Sequence, residues 1–451
     1  MGSHWFSACD LVERFSHAHI SPRPLVDGQR WVVWDWDQRR SIDVLIPHEA
    51  EEDFIYESLS KFIDTIPSDV VQVELDEQGV LVATSSNPLH TFSWVPFYPL
   101  RTEFPGHVAT LRREDLTEVD RFGLQVDLVT YSPQSQPGET RQAVFKYYIT
   151  EASVARWWHE VNCVMRIPPH PNIVPFDALV VDSIDAVDRV VGFTTRYIAG
   201  YTLKENDTRI FKLKYLQQLI NVVDYLNLQL GIVHGDICPW NLLIDSSTDN
   251  IQLFDFNSGA KLGWEGDEEN NLEFQYDADR NDVKFVIFTV YELITRESNF
   301  RQEFYPEELD ASEIMEQEVW EQHPDSKLDS PVDEYRRLLA DWVKKRADND
   351  IDHFTKASQP LEWPPLHVDD PFLNADGTPL KRKGRMREVM VLLGKDFLKW
   401  QRPPTSSMPL PQGQRLLATG QVVQDEDAAG NTPANPACSS TGALTGRQTA
   451  R

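Results

Sequence analysis

Three side chains in the middle of the chain have types and a spacing suited to phosphate chemistry. Asp236 is followed five residues later by Asn241, and a second acid, Asp255, comes after a short apolar stretch. Carboxylate and amide oxygens are ligands that Mg²⁺ takes in proteins. A further carboxylate can orient an acceptor hydroxyl and take its proton. The spacing therefore predicts phosphoryl transfer from a nucleotide triphosphate bound with magnesium.

The segments that carry these residues are His234-Gly-Asp-Ile-Cys-Pro-Trp-Asn241 and Asp255-Phe-Asn257, which resemble the catalytic and metal-binding loops of the protein-kinase fold. Further segments resemble that family in the family's order: the strand Gln142–Lys146, a helix over 151–165, the turn His170-Pro-Asn-Ile-Val174, the hinge-like stretch 193–203, and helices over 211–230 and 282–295. The resemblance implies an α+β, bilobal protein-kinase-like fold. A small β-rich lobe is expected at about 106–198 and a large α-helical lobe at about 199–400.

The resemblance also implies a role for each residue that matches a family position. Lys146 would bind the α- and β-phosphates of ATP, and Glu160 would pair with Lys146. Asp236 would orient the acceptor hydroxyl, while Asn241 and Asp255 would bind Mg²⁺. The remaining nucleotide contacts would come from Gly123 in the loop over the phosphates, Thr195 at the back of the pocket, and Tyr197 and Ile198 in the hinge.

Single residues of these types are common in any protein. A lysine that ends a strand is usually a surface lysine, and a helical glutamate is usually solvated, so Lys146 and Glu160 gain meaning only from their joint spacing with the loop. Within the loop, His234 is expected to be a packed structural residue rather than a proton acceptor. Asp282 is expected to hold the loop's main chain.

Several departures from the family pattern weaken the expectation of activity. The loop over the phosphates has one glycine, Gly123, and the arginine before the catalytic aspartate is replaced by Gly235. Cys238 and Trp240 occupy the positions where kinases keep a cation for the transferred phosphate, and loss of such stabilisation typically costs roughly 10²- to 10³-fold in rate. Asn257 replaces a flexible glycine, although asparagine tolerates left-handed backbone angles.

The segment that follows, up to Asn281, also departs from the pattern. It lacks an Ala-Pro-Glu triplet and contains few hydroxyl residues, so control by phosphorylation is not expected there. It is acidic, through Glu265, Asp267, Glu268 and Glu269, and so could favour basic substrates or simply be a solvated loop.

Charge and composition exclude some classes of partner. The 451 residues carry a formal net charge of −28, which disfavours general binding to nucleic acids or anionic membranes. The four cysteines lack metal-ligand spacing and are expected to be reduced thiols. With no secretory signal or membrane-spanning apolar run, the cytoplasm is the expected location. The basic run Lys381–Arg387 leaves import into the nucleus open.

The flanking regions carry no motif. Residues 1–105 are predicted to form an α+β extension, with strands over 30–36, 42–46 and 70–83, the last a hairpin turning near Gly79, and a helix over 51–63. This extension is either an independent partner-binding module or a part packed on the small lobe. Helices over 331–346 and 387–400 are predicted to complete the large lobe, and residues 401–451 to form a disordered tail.

Three classes of function follow. The first is a divergent protein kinase that transfers the γ-phosphate of Mg-ATP to serine or threonine hydroxyls of an unidentified protein. The second is a pseudokinase that binds nucleotide or partners without turnover. The third is a small-molecule kinase resembling aminoglycoside or choline phosphotransferases, which also use His-Gly-Asp before the asparagine. The His170-Pro-Asn172 turn and the helix that begins at Asp282 argue against the third class.

Overall fold

The protein is described from a computed structural model that covers residues 6, 9–18, 22–25, 28–133, 138–205, 208–265, 276–366 and 383–425. The described chain is a mixed α+β structure with several sheets. Within these ranges, none of the helices is both long and apolar enough to cross a bilayer.

The N-terminal part forms a six-stranded sheet covered by helix α2. Its elements are α1 (Leu11–Arg14), β1 (Phe15–His17), β2 (Arg23–Leu25), β3 (Gly28–Asp35), β4 (Arg40–Ile46), α2 (Glu52–Ser60), β5 (Gln72–Leu75) and β6 (Leu81–Ser85). Strands β4 and β5 are parallel, which requires the crossover through α2. Ile55, Tyr56 and Leu59 of α2 pack with Val33 and Val44 of the sheet in one buried core. The predicted hairpin is confirmed, with Gly79 at a φ of 73° in its turn.

A second six-stranded sheet lies in the middle of the chain and is called here the central sheet. Its strands are β8 (Thr110–Arg112), β9 (Thr117–Gly123), β10 (Val126–Tyr131), β11 (Arg141–Tyr147), β12 (Phe176–Ile184) and β13 (Val187–Arg196), in the order β8-β12-β13-β11-β10-β9. Between β11 and β12 lies α3 (Val154–Arg166), preceded by a 3₁₀ turn where the predicted helix was expected to begin. Trp157, Trp158 and Val161 of α3 share a core with Phe145 and Phe193 of the sheet.

The following region is mainly helical. It contains α4 (Leu213–Asp224), α5 (Asp282–Thr295), α6 (Asn299–Glu303), α7 (Ala311–Met315) and α8 (Val332–Asn349), with short strands β14 (Gly200–Thr202), β15 (Ile210–Phe211), β16 (Ile232–Val233), β17 (Leu242–Asp245), β18 (Ile251–Leu253), β19 (Ala260–Lys261) and β20 (Lys327–Leu328). Helix α4 continues as a π-helical turn over Tyr225–Gln229, as far as the predicted helix reached. The apolar faces of α4, α5 and α8 form one core. Helix α5 has the predicted bounds.

The C-terminal residues return to the N-terminal part instead of completing the helical region. Strand β7 (Trp94–Pro96) pairs with β21 (Gly384–Met386), α9 spans only Arg387–Leu392, and β22 (Gln414–Leu416) pairs with β23 (Val422–Gln424). The predicted helix over 387–400 is therefore wrong beyond residue 392. The ring of Trp400 stacks on Tyr147 of the central sheet, at 5.0 Å between ring centroids. Burial of this large apolar ring against the sheet outweighs the local helical pattern.

Residues 401–425 do not follow the predicted disordered tail. Arg402 is 2% exposed, and Leu416, Leu417 and Ala418 are also buried. The composition of this stretch is poor in large apolar residues, but its buried polar contacts hold it in place. Residues 426–451, for which disorder was also predicted, lie outside the described residues.

Six buried charged residues join the three parts of the chain and are called here the buried charge cluster. They are Asp37 and Arg39 from the N-terminal part, Glu118, Arg121 and Asp127 from the central sheet, and Arg402 from the C-terminal residues. Atom Nη1 of Arg402 lies 2.8 Å from Glu118 and 2.9 Å from Asp127. These contacts favour the second alternative for the extension, namely that it packs on the central sheet.

The basic run considered as an import signal is partly described. Gly384–Met386 lie in strand β21 and Arg385 is 9% exposed, whereas Lys381 and Arg382 lie outside the described residues. Of the described residues of the run, 383–387, the middle three are therefore held in a strand pair and do not form a free basic peptide.

Candidate active site

The loop between β16 and β17 holds Asp236 and Asn241 against each other. Atom Nδ2 of Asn241 donates to the main-chain oxygen and to Oδ2 of Asp236, each at 2.9 Å. Asn241 is 4% exposed, while Asp236 is half-buried. The amide therefore orients the Asp236 carboxylate without closing it off from a ligand. Because Nδ2 is committed to Asp236, Oδ1 is the atom of Asn241 that can bind a cation.

Buried residues fix the main chain just before Asp236. The carboxylate of Asp282, at the start of α5, accepts hydrogen bonds from the main-chain N–H groups of His234 at 2.9 Å and Gly235 at 2.8 Å. The loop-holding contact expected of Asp282 is thus present.

His234 is fully buried beside that contact. Its Nε2 lies 2.9 Å from the carbonyl oxygen of Phe254, and its Nδ1 lies 3.3 Å from the main-chain nitrogen of Asp236. A carbonyl at Nε2 and an N–H at Nδ1 match a ring that donates from Nε2 and accepts at Nδ1. His234 is a packed structural residue, as expected.

The amino group of Lys146 on β11 contacts two carboxylates at once. It donates to Oε1 of Glu160 on α3 and, at 2.5 Å, to Oδ1 of Asp255 after β18. The Lys146 side chain is 15% exposed and that of Glu160 is 8% exposed. The pairing of Lys146 with Glu160, predicted from their spacing, is therefore present, and Asp255 lies at the same point.

Lys146 favours ionisation of both carboxylates, whereas the charge of Asp255 opposes ionisation of Glu160. Burial by itself would lower the pKa of Lys146, but the carboxylates of Asp255 and Glu160 outweigh it and raise that pKa above its ordinary value. Burial opposes ionisation of Asp255, yet the positive charge of Lys146 lowers the pKa of Asp255 overall. Burial raises the pKa of Glu160 more than Lys146 lowers it. At neutral pH, Lys146 is a fixed positive charge beside an ionised Asp255.

The backbone of Asp255 is unusual. Its φ is 68° and its ψ is 68°, a left-handed conformation that costs a non-glycine residue roughly 1–2 kcal/mol. Asn257, which could have adopted such angles, lies instead in the 3₁₀ turn Phe256–Ser258 that follows. Phe256 is buried, with its ring centroid 4.7 Å from that of His234. Strained backbone held by such packing is typical of functional sites.

The residues predicted to surround the nucleotide base lie at the end of β13, the strand that pairs with the strand of Lys146. In the register of β11 and β13, Thr195 is opposite Val144, so Thr195 lies on the same face of the sheet as Lys146, two residues further along β11. Tyr197 and Ile198 directly follow β13 and are half-buried. The ring of Phe122 lies 6.3 Å from that of Tyr197. The structure thus places Thr195 on the face of Lys146 and Tyr197 beside Phe122, and what these residues bind stays a prediction.

The turn between β9 and β10 contains Gly123. A Cβ atom placed on Gly123 would have no heavy atom within 4 Å, so the space above this residue is open. Gln125, with a φ of 59°, closes the turn. A single glycine leaves the turn with side chains on both sides, and the neighbouring Phe122 and Leu124 are exposed. Phosphates can therefore approach the main chain of this turn less closely than that of a glycine-rich loop.

The positions that depart from the kinase pattern have structural reasons. Gly235 has a φ of 74°, and a Cβ atom there would lie 2.5 Å from the carbonyl oxygen of Ser258, so an arginine does not fit this backbone. Cys238 is fully buried, and burial, followed by the charge of Asp236, raises the pKa of its thiol. Trp240 is 50% exposed. None of these three side chains supplies a cation near Asp236.

Two contacts to the site come from residues that the motifs did not single out. Nε1 of Trp363 donates to Nδ1 of His159, next to Glu160, at 3.2 Å. Nη1 of Arg301 donates to the carbonyl oxygen of Ile237, next to Asp236, at 2.8 Å. In the sequence, the contact of Trp363 with His159 is signalled only by the Trp363-Pro-Pro365 stretch. Short-range sequence patterns contain no signal for the second contact, because Arg301 meets the loop only in the folded chain.

Part of the acidic segment after Asp255 lies outside the described residues, including Asp267, Glu268 and Glu269. In its described part, Trp264 lies beside His159 of α3, at 6.1 Å between ring centroids, and accepts a main-chain hydrogen bond from Tyr276. The expected preference for basic substrates stays a prediction.

Comparison with known proteins finds similarity to protein kinases over a short stretch. The chain is 36% identical over 109 residues to CBL-interacting serine/threonine-protein kinase 16 of Arabidopsis thaliana, which covers 23% of this chain and 22% of the relative. It is 34% identical over 102 residues to CBL-interacting protein kinase 15 of Oryza sativa subsp. japonica, covering 21% and 22%. It is 32% identical over 109 residues to glycogen synthase kinase 1 of Pyricularia oryzae, covering 22% and 27%.

The chain thus spans about a fifth of the length of the first two of these relatives. No family model matches the chain. The similarities support a protein-kinase-like domain within it.

Proposed function

We propose that the chain is a divergent protein kinase that binds Mg-ATP and transfers the γ-phosphate to serine or threonine hydroxyls of proteins. Its kinase unit would be bilobal, with the nucleotide between the central sheet and the helical region. The observation that carries this proposal is the meeting of Lys146, Glu160 and Asp255 at one point. These residues come from three different elements and are 109 positions apart at the extremes.

The side chains around that point suit the parts of a phosphoryl transfer. Lys146, permanently charged, would bind the α- and β-phosphates, with Glu160 holding its amino group in place. Asp236, oriented by Asn241 and half-buried, would accept a hydrogen bond from the acceptor hydroxyl and take its proton. Thr195, Tyr197, Ile198 and Gly123 would line the rest of the nucleotide site.

Asn241 and Asp255 fit a magnesium ion by the chemistry of their donors. Both offer hard oxygen atoms, and Mg²⁺ is commonly held by one or two such side chains together with phosphate oxygens. When bound, the ion would neutralise charge that develops on the transferred phosphate. Among the described residues, no group of three His, Cys, Asp or Glu side chains is placed to hold a metal ion. A magnesium site here would therefore depend on the nucleotide.

A pseudokinase is the second candidate, and a specific observation favours it. The buried thiol of Cys238 and the exposed ring of Trp240 leave the loop beside Asp236 without the cation that active kinases place there. Under this proposal the chain would bind nucleotide or a partner and transfer phosphate slowly or not at all.

Transfer of labelled γ-phosphate from Mg-ATP separates the two candidates. The purified protein would be assayed on itself and on generic protein acceptors beside Asp236→Asn, which keeps the size of the side chain but removes the carboxylate. We expect transfer by the wild type that Asp236→Asn abolishes. If both proteins bind ATP and are equally inactive, the pseudokinase proposal replaces the kinase proposal. If transfer persists in Asp236→Asn, the assigned site is wrong.

A further inference from the structure

The guanidinium group of Arg301, in α6, donates hydrogen bonds to α5 and to residues 234–241, the loop that carries Asp236 and is called here the catalytic loop. Its Nη1 donates to the carbonyl oxygen of Ile237 at 2.8 Å, and its Nη2 donates to the carbonyl oxygen of Phe285 at 2.8 Å and to Oγ1 of Thr289 at 2.9 Å. The side chain is 11% exposed, and its Nε lies 2.9 Å from a carboxylate oxygen of Glu292. Four contacts in different directions fix the position of this group.

The carbonyl group of Ile237 is held from two sides. Besides Arg301, it accepts a hydrogen bond from Oγ1 of Thr289, at 3.0 Å, and Thr289 is fully buried. Ile237 directly follows Asp236, so the orientation of its peptide bond constrains the main chain of Asp236. A carbonyl with two buried donors, one of them charged, has little freedom to rotate.

We propose that Arg301 is a positioning residue for Asp236. Asp282 holds the N–H groups of the two residues before Asp236, and Arg301 with Thr289 holds the carbonyl group of the residue after it. Asp236 is thus fixed on both sides by buried groups of the helical region. The inference rests on the proposed function, because it concerns the same carboxylate.

The contacts of Arg301 compensate for two departures of this sequence from the kinase pattern. Gly235 supplies no side chain that could anchor the loop to the segment after Asp255, and that segment has no Ala-Pro-Glu triplet. The segment after Asp255 still contacts the loop, since Nη1 of Arg280 donates to the carbonyl oxygen of Gly235 at 3.3 Å. Helices α5 and α6 supply further anchors through Thr289 and Arg301. Such a support would not require a phosphorylated residue.

The ion pair between Arg301 and Glu292 should make the support of the loop depend on pH. Burial raises the pKa of Glu292 to about 7, against the charges of Arg301 and then Lys204, which lower it. The Cys238 thiol of the catalytic loop also faces Arg301, and burial keeps it protonated. Glu292 is therefore ionised above about pH 7 and pairs with Arg301, and below that pH it becomes neutral and the pair is lost.

Two matched pairs of variants test the proposal in the full chain. Arg301→Met removes the guanidinium group, and Arg336→Met removes a guanidinium group that binds the carbonyl oxygens of Gln317 and Glu318, away from the loop. Thr289→Val removes the second donor to Ile237, and Thr295→Val removes a similar buried hydroxyl of α5 that binds the carbonyl oxygen of Tyr291. Hydrogen exchange of the amides of residues 236–241 is measured together with kcat and KM for ATP.

Arg301→Met is expected to speed amide exchange in the loop and to lower kcat about 100-fold, with KM for ATP nearly unchanged, because the reacting carboxylate is displaced. Thr289→Val should have the same effect to a smaller degree. Arg336→Met and Thr295→Val should have neither effect. Glu292→Gln should flatten the decline of kcat that the wild type shows as the pH falls through about 7.

Equal exchange in Arg301→Met and Arg336→Met would overturn the proposal, whatever the activities. If Arg301→Met does not fold, the comparison of Thr289→Val with Thr295→Val decides in the same way. If the wild type transfers no phosphate, the proposed function fails, but exchange still shows whether Arg301 holds the loop.

Discussion

At the scale of single residues, the described part of the candidate site brings acids and an amide together, but positions 238 and 240 of its loop carry no cation. The amino group of Lys146 contacts the carboxylates of both Glu160 and Asp255, and Asn241 orients Asp236. Near Asp236, however, the loop offers a buried thiol and an indole ring instead of a charge. Under the proposed function, this absence would slow transfer more than it would weaken nucleotide binding, because in kinases the cation at these positions contacts the phosphate that is transferred.

Restoring a cation at Trp240 should raise the rate. Trp240 is 50% exposed, so Trp240→Arg should change the free energy of unfolding by no more than roughly 0.5 kcal/mol. A guanidinium group beside the transferred phosphate should increase kcat about tenfold, less than the full effect of a buried donor because water screens it. The measurement is kcat with Mg-ATP and a protein acceptor.

Tyr201→Arg is the control, since Tyr201 on β14 is 54% exposed and receives the same charge outside the catalytic loop. An equal gain in both variants would indicate a general effect of charge on a protein whose net charge is −28. No gain in Trp240→Arg would contradict the role assigned to this position.

At the scale of elements, helix α3 is held in place from two directions. On one side it packs on the central sheet, and on the other it meets residues 361–366. Within that segment, Pro364 accepts a hydrogen bond from Trp158 at 3.0 Å, and Trp363 donates to His159 at 3.2 Å. Burial lowers the pKa of His159 to about 4, so its ring is neutral at physiological pH and can accept this bond. The contact lies one residue from Glu160.

Weakening this contact should reduce affinity for ATP. Trp363→Phe removes the indole donor and part of the ring, which frees α3 and loosens the pairing of Glu160 with Lys146. Residues that act through such packing shift a binding equilibrium by roughly 0.5–2 kcal/mol, about 2- to 30-fold. The dissociation constant for Mg-ATP, measured by calorimetry, should rise by that factor.

Trp320→Phe provides the comparison. Trp320 is also buried, belongs to the same core as Trp363, and donates to the carbonyl oxygen of Ile314 at 3.0 Å instead of to α3. Both variants should lose roughly 1 kcal/mol of stability, but only Trp363→Phe should lose affinity for ATP. A similar loss in both would mean that the effect comes from general destabilisation.

At the scale of the whole molecule, the buried charge cluster joins the N-terminal part, the central sheet and the C-terminal residues. Arg402 is its centre, since one guanidinium nitrogen contacts both Glu118 and Asp127. Burial opposes ionisation of Glu118, but the charges of Arg402, Arg121 and Arg39 lower its pKa to about 2. The cluster thus consists of charges that depend on one another across long distances in the sequence.

Removing Arg402 should destabilise the folded chain strongly. Arg402→Met leaves Glu118 and Asp127 with less compensating charge in a buried place, which typically costs about 3–5 kcal/mol. Arg112→Met removes a partner of Asp188 in a pair whose side chains are 42% and 40% exposed, and should cost no more than about 1 kcal/mol. Chemical denaturation at pH 7 measures both. Equal losses would show that the cluster contributes no more than a surface pair.

The pH dependence of stability should change in the same variant. Because the pKa of Glu118 is lowered in the folded chain, its contribution is present above its unfolded pKa of about 4.5 and is lost as the pH falls toward about 2. In Arg402→Met this contribution is smaller, so stability should fall less steeply between pH 5 and pH 3. An unchanged slope would contradict the assignment of Arg402 as the main partner of Glu118.

Much of the site could be predicted from short sequence patterns. The resemblance of the motifs to those of protein kinases predicted the contact of Lys146 with Glu160 and the loop of Asp236 and Asn241, and it also gave the observed bounds of α5. The contact of Lys146 with Glu160 joins a strand to a helix, and it was expected because the resemblance to protein kinases implies how these elements meet. The predicted helix over 387–400 and the disorder of 401–425 failed, because burial against distant segments outweighed local composition.

The sequence by itself determined the types and local order of the groups that could carry out phosphoryl transfer, together with the strong negative charge of the chain. Only the tertiary structure decided that Arg301 holds the loop of Asp236, that Trp363 holds α3, and that Arg402 returns to the central sheet. These contacts join residues 64, 204 and 275 positions apart. A local sequence pattern covers only the residues of one helix, strand or loop. Contacts between residues so far apart in the sequence therefore depend on how the whole chain packs.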